Sequence, residues 1–349
     1  MRRLTIFLIL SLCCAVCVTA PATASDPLVK LKQFSDFDFQ KIDIKRLLEG
    51  QILSHRGPLM DFPLGISSQL LFAVPRAPAE VVKQLQTWDP TRCPSLKVYA
   101  AHDLNEPIQI KEFNSLHLYL DPEKYPVRWF WNRTLATTER RSDLNLTQFE
   151  AAELSRCVGN AANAKTIGAC WGKLLFARAS NFQSTGFKNS LSYDFDVEPV
   201  NPASHLRSLL LEQTLIAREF APLLQRAGLV DGGVAMSPIR PAYYWRLFEA
   251  DHHATLSLGA FYILQVGDHY QLLDLEYYVS GTYYTSATLY EIWPIHDGGN
   301  SGSLVWANVL CSAPALQFAA GIERLASGII LILEFKKCVR CFQDSFNNP

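Results

Sequence analysis

The clearest hydrophobic pattern in the chain runs from Ala254 to Phe342. Leu256, Leu258, Ala260, Tyr262 and Leu264 alternate with Ser257, Gly259 and Gln265, the period of a strand with two unlike faces. Gly267-Asp268 supplies a hairpin turn. A second run then alternates Leu273, Leu275, Tyr277 and Val279 with Asp274, Glu276 and Tyr278, until Gly281 breaks it. Tyr283 to Trp293 is dense in β-branched and aromatic residues, and the turn cluster from Asp297 to Gly302 leads into Leu304 to Leu310. This predicts an antiparallel meander. Pro314 marks a helix start, and Leu325, Ile329, Ile332, Phe335, Val339 and Phe342 recur at helical spacing, so their stripe needs an apolar cover.

Upstream, Gln51 to His55 and Ile66 to Val74 read as strands, and Pro78 opens a helix lined by Val81, Val82 and Leu85 that ends near Trp88. From Phe113 to Ala250 the signals are mainly helical. Thr147 and Glu150 form a capping box, and Asn201-Pro202 opens an amphipathic run of Leu206, Leu209, Leu210, Ile216 and Phe220, interrupted at Pro222.

The strand pair, the helix opening at Ala77-Pro78-Ala79-Glu80-Val81-Val82, and the terminal meander with its long helix resemble the START-like, or polyketide-cyclase-like, helix-grip superfamily. The resemblance covers Leu47 to about Ala101 and Ala254 to Phe346 and is a pattern of elements with no catalytic signature. It implies an α+β fold in which a curved antiparallel sheet grips the C-terminal helix around a hydrophobic cavity. It also implies binding of lipids, sterols or other apolar ligands, a few members being enzymes. On that reading 25–112 and 251–349 form the core and 113–250 is a largely helical insertion.

The first residues set an expected compartment. Arg2 and Arg3 precede an apolar run from Leu4 to Val18, and Ala22-Thr23-Ala24 offers small residues for cleavage, the pattern of a secretory signal peptide over 1–24. The mature chain would then carry 30 Lys and Arg against 33 Asp and Glu, a net charge of minus three, without the basic face that nucleic acid requires. No second membrane span is expected: Gly328 to Leu333 is short and flanked by charges. The expected location is secreted or periplasmic. Six cysteines remain after cleavage; Cys157 and Cys170 are disulfide candidates closing a short loop, although spacing alone fixes no pairing. Cys338-Val339-Arg340-Cys341 is a C-x-x-C near a helix end. A structural role suits it better than redox chemistry, which wants the motif opening a helix, or zinc, which wants a second ligand pair.

Candidate chemistry is sparse. Asp251-His252-His253 groups ligand-type side chains, but neighbours in a strand point to opposite faces, so a polar strand entrance is the simpler reading and no metal or cofactor is expected. His102-Asp103 and Gly299-Asn300-Ser301-Gly302 resemble protease motifs, yet Asn300 stands where that family has Asp, and a hairpin turn explains Ser301. Nine of thirteen tyrosines fall between positions 243 and 290. They suit either core packing or the wall of a pocket with polar tips. The expectation is a non-catalytic protein that binds an apolar or amphipathic small molecule between sheet and helix, with Tyr262, Tyr277, Tyr284, Trp306 and Ile329 as ligand contacts. The first alternative is an enzyme using the same cavity, with His252, His253, Asp274 and Glu276 as acid-base candidates. The second is a cell-envelope structural or interaction protein.

Overall fold

In a computed structural model, which describes residues 26–159, 163–195, 198–231, 239–319 and 321–346, eight strands form one antiparallel sheet. They are β1 (Ile52–Arg56), β2 (Gly65–Val74), β3 (Val98–Leu104), β4 (Ala242–Ala250), β5 (His253–Val266), β6 (His269–Val279), β7 (Thr285–Asp297) and β8 (Asn300–Ser312). Their order across the sheet is β1-β2-β8-β7-β6-β5-β4-β3. Early β2 thus pairs with late β8, Gly65 opposite Ser312 and Val74 opposite Ser303. The expected meander is β5 to β8, its hairpins turning at Gly267 and at Gly298-Gly299, where φ is positive and glycine costs least. The proposed leader at 1–24 lies outside the described residues.

The helices are α1 (Pro27–Leu31), α2 (Ile44–Leu48), α3 (Pro78–Thr87), α4 (Leu116–Tyr119), α5 (Arg128–Ala136), α6 (Gln148–Val158), α7 (Ala164–Thr185), α8 (Pro202–Leu211), α9 (Thr214–Glu219), α10 (Ala221–Ala227) and α11 (Ile322–Ser345). This is the expected α+β class: a curved antiparallel sheet, a long C-terminal helix and a mainly helical excursion. The two faces of the sheet are covered differently. On one, α4 to α10 and the N-terminal segment bury Trp245, Leu258, Tyr262, Leu273, Tyr277, Leu289 and Trp306 in the larger core. On the other, α3 and the C-terminal half of α11 bury Leu70, Phe72, Phe261, Leu272, Ile292 and Val305.

Local sequence explains several elements. Thr147 accepts from the Glu150 amide at 3.0 Å and Glu150 accepts in return from the Thr147 amide at 2.8 Å, closing the box that starts α6. Lys30 of α1 reaches Glu219 at 2.7 Å and the fully buried Glu291 at 3.1 Å, tying the N-terminal segment to α9 and β7. Cys157 is bonded to Cys170, joining α6 to α7, and Cys93 is bonded to Cys341, joining the segment after α3 to α11.

Three elements differ from expectation. The sheet extends further back than position 250, because Ala242–Ala250 is β4, which pairs with β5 and carries Tyr243 and Trp245 into the larger core. The run from Asn201 to Phe220 is two helices with a break at Glu212-Gln213, and Pro222 opens α10. Pro314 starts only a short 3-10 turn; the long helix begins at Ile322, and its apolar stripe divides. Val339 and Phe342 are buried and Phe335 packs beside them, whereas Leu325 and Ile329 remain exposed at 39 % and 56 %. Only the second half of α11 therefore lies on the apolar core of the sheet. At the first half, Gly328 brings the helix against Arg56 and Ile66, and Arg324 donates to the carbonyls of Phe62 and Gly65, both at 2.8 Å.

Candidate functional site

On the face that carries α11, the outward positions of β6 read Leu272, Asp274 and Glu276. The first belongs to the aliphatic core, and the next two break its pattern. Register places Phe261 and Thr288 beside Asp274, and Gly259 and Ser286 beside Glu276. Tyr244, opposite Gly259 on β4, crosses that glycine to donate to Asp274 Oδ1 at 2.5 Å. A Cβ at position 259 would stand 2.0 Å from Tyr244 Cζ, so this hydrogen bond requires the glycine. Arg246 stacks on the Tyr244 ring, its Cζ 3.9 Å from the centroid, with Nη1 3.8 Å from Asp274 Oδ2. Beside this, Glu276 Oε2 accepts from Tyr283 at 2.5 Å and from Ser286 at 2.7 Å.

The result is a row of two carboxylates, two phenols, a hydroxyl and one guanidinium on a face that is otherwise aliphatic. Its charge is not equalised, since two carboxylates share one cation. Burial is the largest influence on Asp274 and raises its pKa. Glu276 pushes in the same direction, while Arg246 and the Tyr244 hydrogen bond oppose it. Burial also holds Tyr244 and Tyr283 far above the ordinary phenol value, so both stay protonated and donate. The row is nevertheless open to water: the Arg246 side chain is 32 % exposed and that of Asp274 19 %. Two thiols border it. Cys311 is pushed up to about 12 by burial, with Glu276 adding to the shift, and Cys338 on α11 to about 11, again mainly by burial. Neither is a thiolate near neutrality.

The structure brings together two of the four acid-base candidates, Asp274 and Glu276, and separates the histidines from them. His252 sits in the β4–β5 turn with φ of 62°, 3.6 Å from Glu249, with its side chain 89 % exposed. His253 opens β5 with its ring 4.4 Å from that of Trp129, on the side of the helical excursion. The proposed ligand contacts do not share a cavity. Tyr262, Tyr277, Tyr284 and Trp306 are buried in the larger core on the opposite face, Tyr277 stacking on Phe182 at 3.8 Å, and Ile329 projects from α11 into solvent. The reason is strand parity: on β6, Tyr277 alternates away from Asp274 and Glu276. Two hollows among the described residues have about 10 and 20 Å³ of open volume, the room of a water molecule. His102 and Ser301 are also far apart, on β3 at one edge and in the β7–β8 hairpin. Among the described residues no three His, Cys, Asp or Glu side chains gather to hold a metal ion.

Arg246 has no signal in the sequence reading, and Tyr244 and Tyr283 enter it only as two of the nine clustered tyrosines, without a role of their own. Tyr244 and Arg246 fall inside the supposed insertion, although Tyr244-Trp245-Arg246-Leu247 has strand alternation; Tyr283 opens the aromatic run after the Gly281 break, and nothing local aims it at Glu276. Comparison of the chain with family models, curated proteins and solved structures returns no match.

Proposed function

We propose that this protein binds an amphipathic small molecule over the open stretch of sheet beside α11, with the polar end on the Asp274–Glu276 row and the apolar body against the helix. One observation carries the reading: ionisable side chains hold Asp274 in a desolvated position on a face that aliphatic residues would pack more cheaply. Such arrangements concentrate at functional sites. Two carboxylates and one guanidinium favour a head group that is cationic or donates hydrogen bonds. The row is partly open to water, so part of the ligand stays in contact with solvent. We further propose that the chain is exported. Two disulfides suit an oxidising compartment, and no helix among the described residues is long and apolar enough to cross a membrane.

The test is calorimetric titration with dodecylamine and dodecanoate, each below its micelle concentration, alongside native mass spectrometry of protein purified from its host. The amine should bind and the acid should not, and Glu276→Gln should weaken the amine at least tenfold. Equal affinity for both, or a Glu276→Gln variant that binds as tightly as the parent, refutes the proposal. A second reading, acid-base catalysis in the same row, is favoured by the raised pKa of Asp274. It predicts turnover of a bound ligand that Asp274→Asn abolishes while binding survives.

A further inference from the structure

Between β6 and β7 the chain makes a turn that its own residues do not favour. Thr282 has φ of 66°, and the Tyr283 amide donates back to the Gly281 carbonyl at 2.8 Å, closing a γ-turn of the rare, strained hand around Thr282. A β-branched residue is seldom found at such φ, because its Cβ crowds the backbone there. Strained backbone of this kind persists where its surroundings hold it. The holding group is Asn145, from the segment between α5 and α6. Its side-chain amide donates to the carbonyls of Val279 at 2.9 Å and Tyr283 at 2.8 Å, and its backbone amide donates to the Ser280 carbonyl at 2.9 Å. One residue of the helical excursion thus clamps the turn on both sides of Thr282.

The turn decides where the next two side chains go. Tyr284 enters the larger core, its amide donating to the Ser312 carbonyl at 2.7 Å. Tyr283 goes to the opposite face, where its hydroxyl donates to Glu276 Oε2 at 2.5 Å. Ser286 donates to the same oxygen at 2.7 Å, so Oε2 is taken twice, while Oε1 accepts from none of the described residues. That leaves one carboxylate oxygen unengaged on a side chain whose orientation is fixed through the other. We propose that Asn145 is a positioning residue for the head-group site: by holding the Thr282 turn it keeps Tyr283 on Glu276 Oε2 and leaves Oε1 for a cationic head group. The helical excursion thereby governs binding on the face of the sheet that it does not cover. This inference rests on the reading of the Asp274–Glu276 row as a head-group site.

The test titrates the full chain with dodecylamine, carrying Asn145→Ala and Tyr283→Phe alone and together. Each single change should weaken the amine about threefold to tenfold, the worth of one hydrogen bond. The pair should weaken it no more than Tyr283→Phe does, because Asn145 acts through that hydroxyl. Circular dichroism checks that each variant is folded, and Asn145→Ser replaces the alanine variant if that one is not. A crystal structure of the Asn145 variant should show the Tyr283 hydroxyl drawn away from Glu276 with β6 and β7 still paired. Tyr283 still bonded to Glu276 in that crystal would overturn the proposal. So would a folded Asn145 variant that binds as tightly as the parent, or losses that multiply in the double variant. If the parent itself does not bind dodecylamine, the head-group reading fails on its own, and the crystal structure decides whether Asn145 positions Tyr283.

Discussion

Replacing Asp274 by asparagine separates the stability of the candidate site from its function. At neutral pH the carboxylate accepts a hydrogen bond from Tyr244 at 2.5 Å and faces Arg246 at 3.8 Å, interactions worth together about 2–3 kcal/mol. Against them stand the burial of a charge, which costs several kcal/mol, and the neighbouring Glu276. The raised pKa says that the opposing effects win: the ionised form is less favourable in the folded chain than in the unfolded one. Asp274 therefore loses folding stability as the pH rises through its unfolded and then its folded pKa, the reverse of a salt-bridged aspartate. The amide of the Asp274→Asn variant cannot ionise. Urea denaturation of parent and variant should show the variant gaining on the order of 1 kcal/mol relative to the parent between pH 4 and pH 8, while its affinity for dodecylamine falls. A variant that loses ground relative to the parent over that interval would show that the carboxylate stabilises the fold, and the argument for a functional cost would fail.

Other outcomes follow from the same packing. Glu150→Gln strands the buried Arg178 and should cost about 3–5 kcal/mol in urea denaturation, whereas Glu150→Gln with Arg178→Met should cost clearly less than the sum of the single changes. Replacing Cys157 and Cys170 by serine opens a loop of about 13 residues and should cost about 3 kcal/mol, read as a lower urea midpoint. Native iodoacetamide labelling followed by mass spectrometry should find Cys311 and Cys338 slow at pH 8 and faster at pH 10, with full modification only after unfolding. Gly259→Ala should displace Tyr244 and weaken dodecylamine binding, with no loss of antiparallel sheet by circular dichroism.

Period and turn chemistry made much of the fold legible. The alternation from Leu256 onward marks β5 and β6, and the glycine-rich turns mark where the meander folds back. The capping box at Thr147 locates the start of α6. What stayed hidden depends on partners distant in sequence. Nothing local says that β2 joins β8, or that Tyr262 and Asp274 face opposite sides of the sheet, because parity assigns a residue to one of two faces without saying what covers each. The long helix α7 carries buried positions on several sides, including Gly168, which abuts the backbone of His117, so it shows no clean stripe. The site was half legible: Asp274 and Glu276 stand out as acids in an apolar strand, but Tyr244 reaches Asp274 only because Gly259 lets a side chain pass over the strand between.

The adjacency of β2 and β8 also constrains the order of events during biosynthesis. The β1–β2 hairpin is made early, yet the strand that completes its hydrogen bonding is among the last segments to leave the ribosome. Until then β2 presents an open ladder rich in Leu70, Leu71, Phe72 and Val74, the kind of edge that recruits other chains. A nascent chain of this protein therefore depends on being kept apart from its neighbours until its synthesis is nearly finished, and products truncated before Asn300 should accumulate as aggregates.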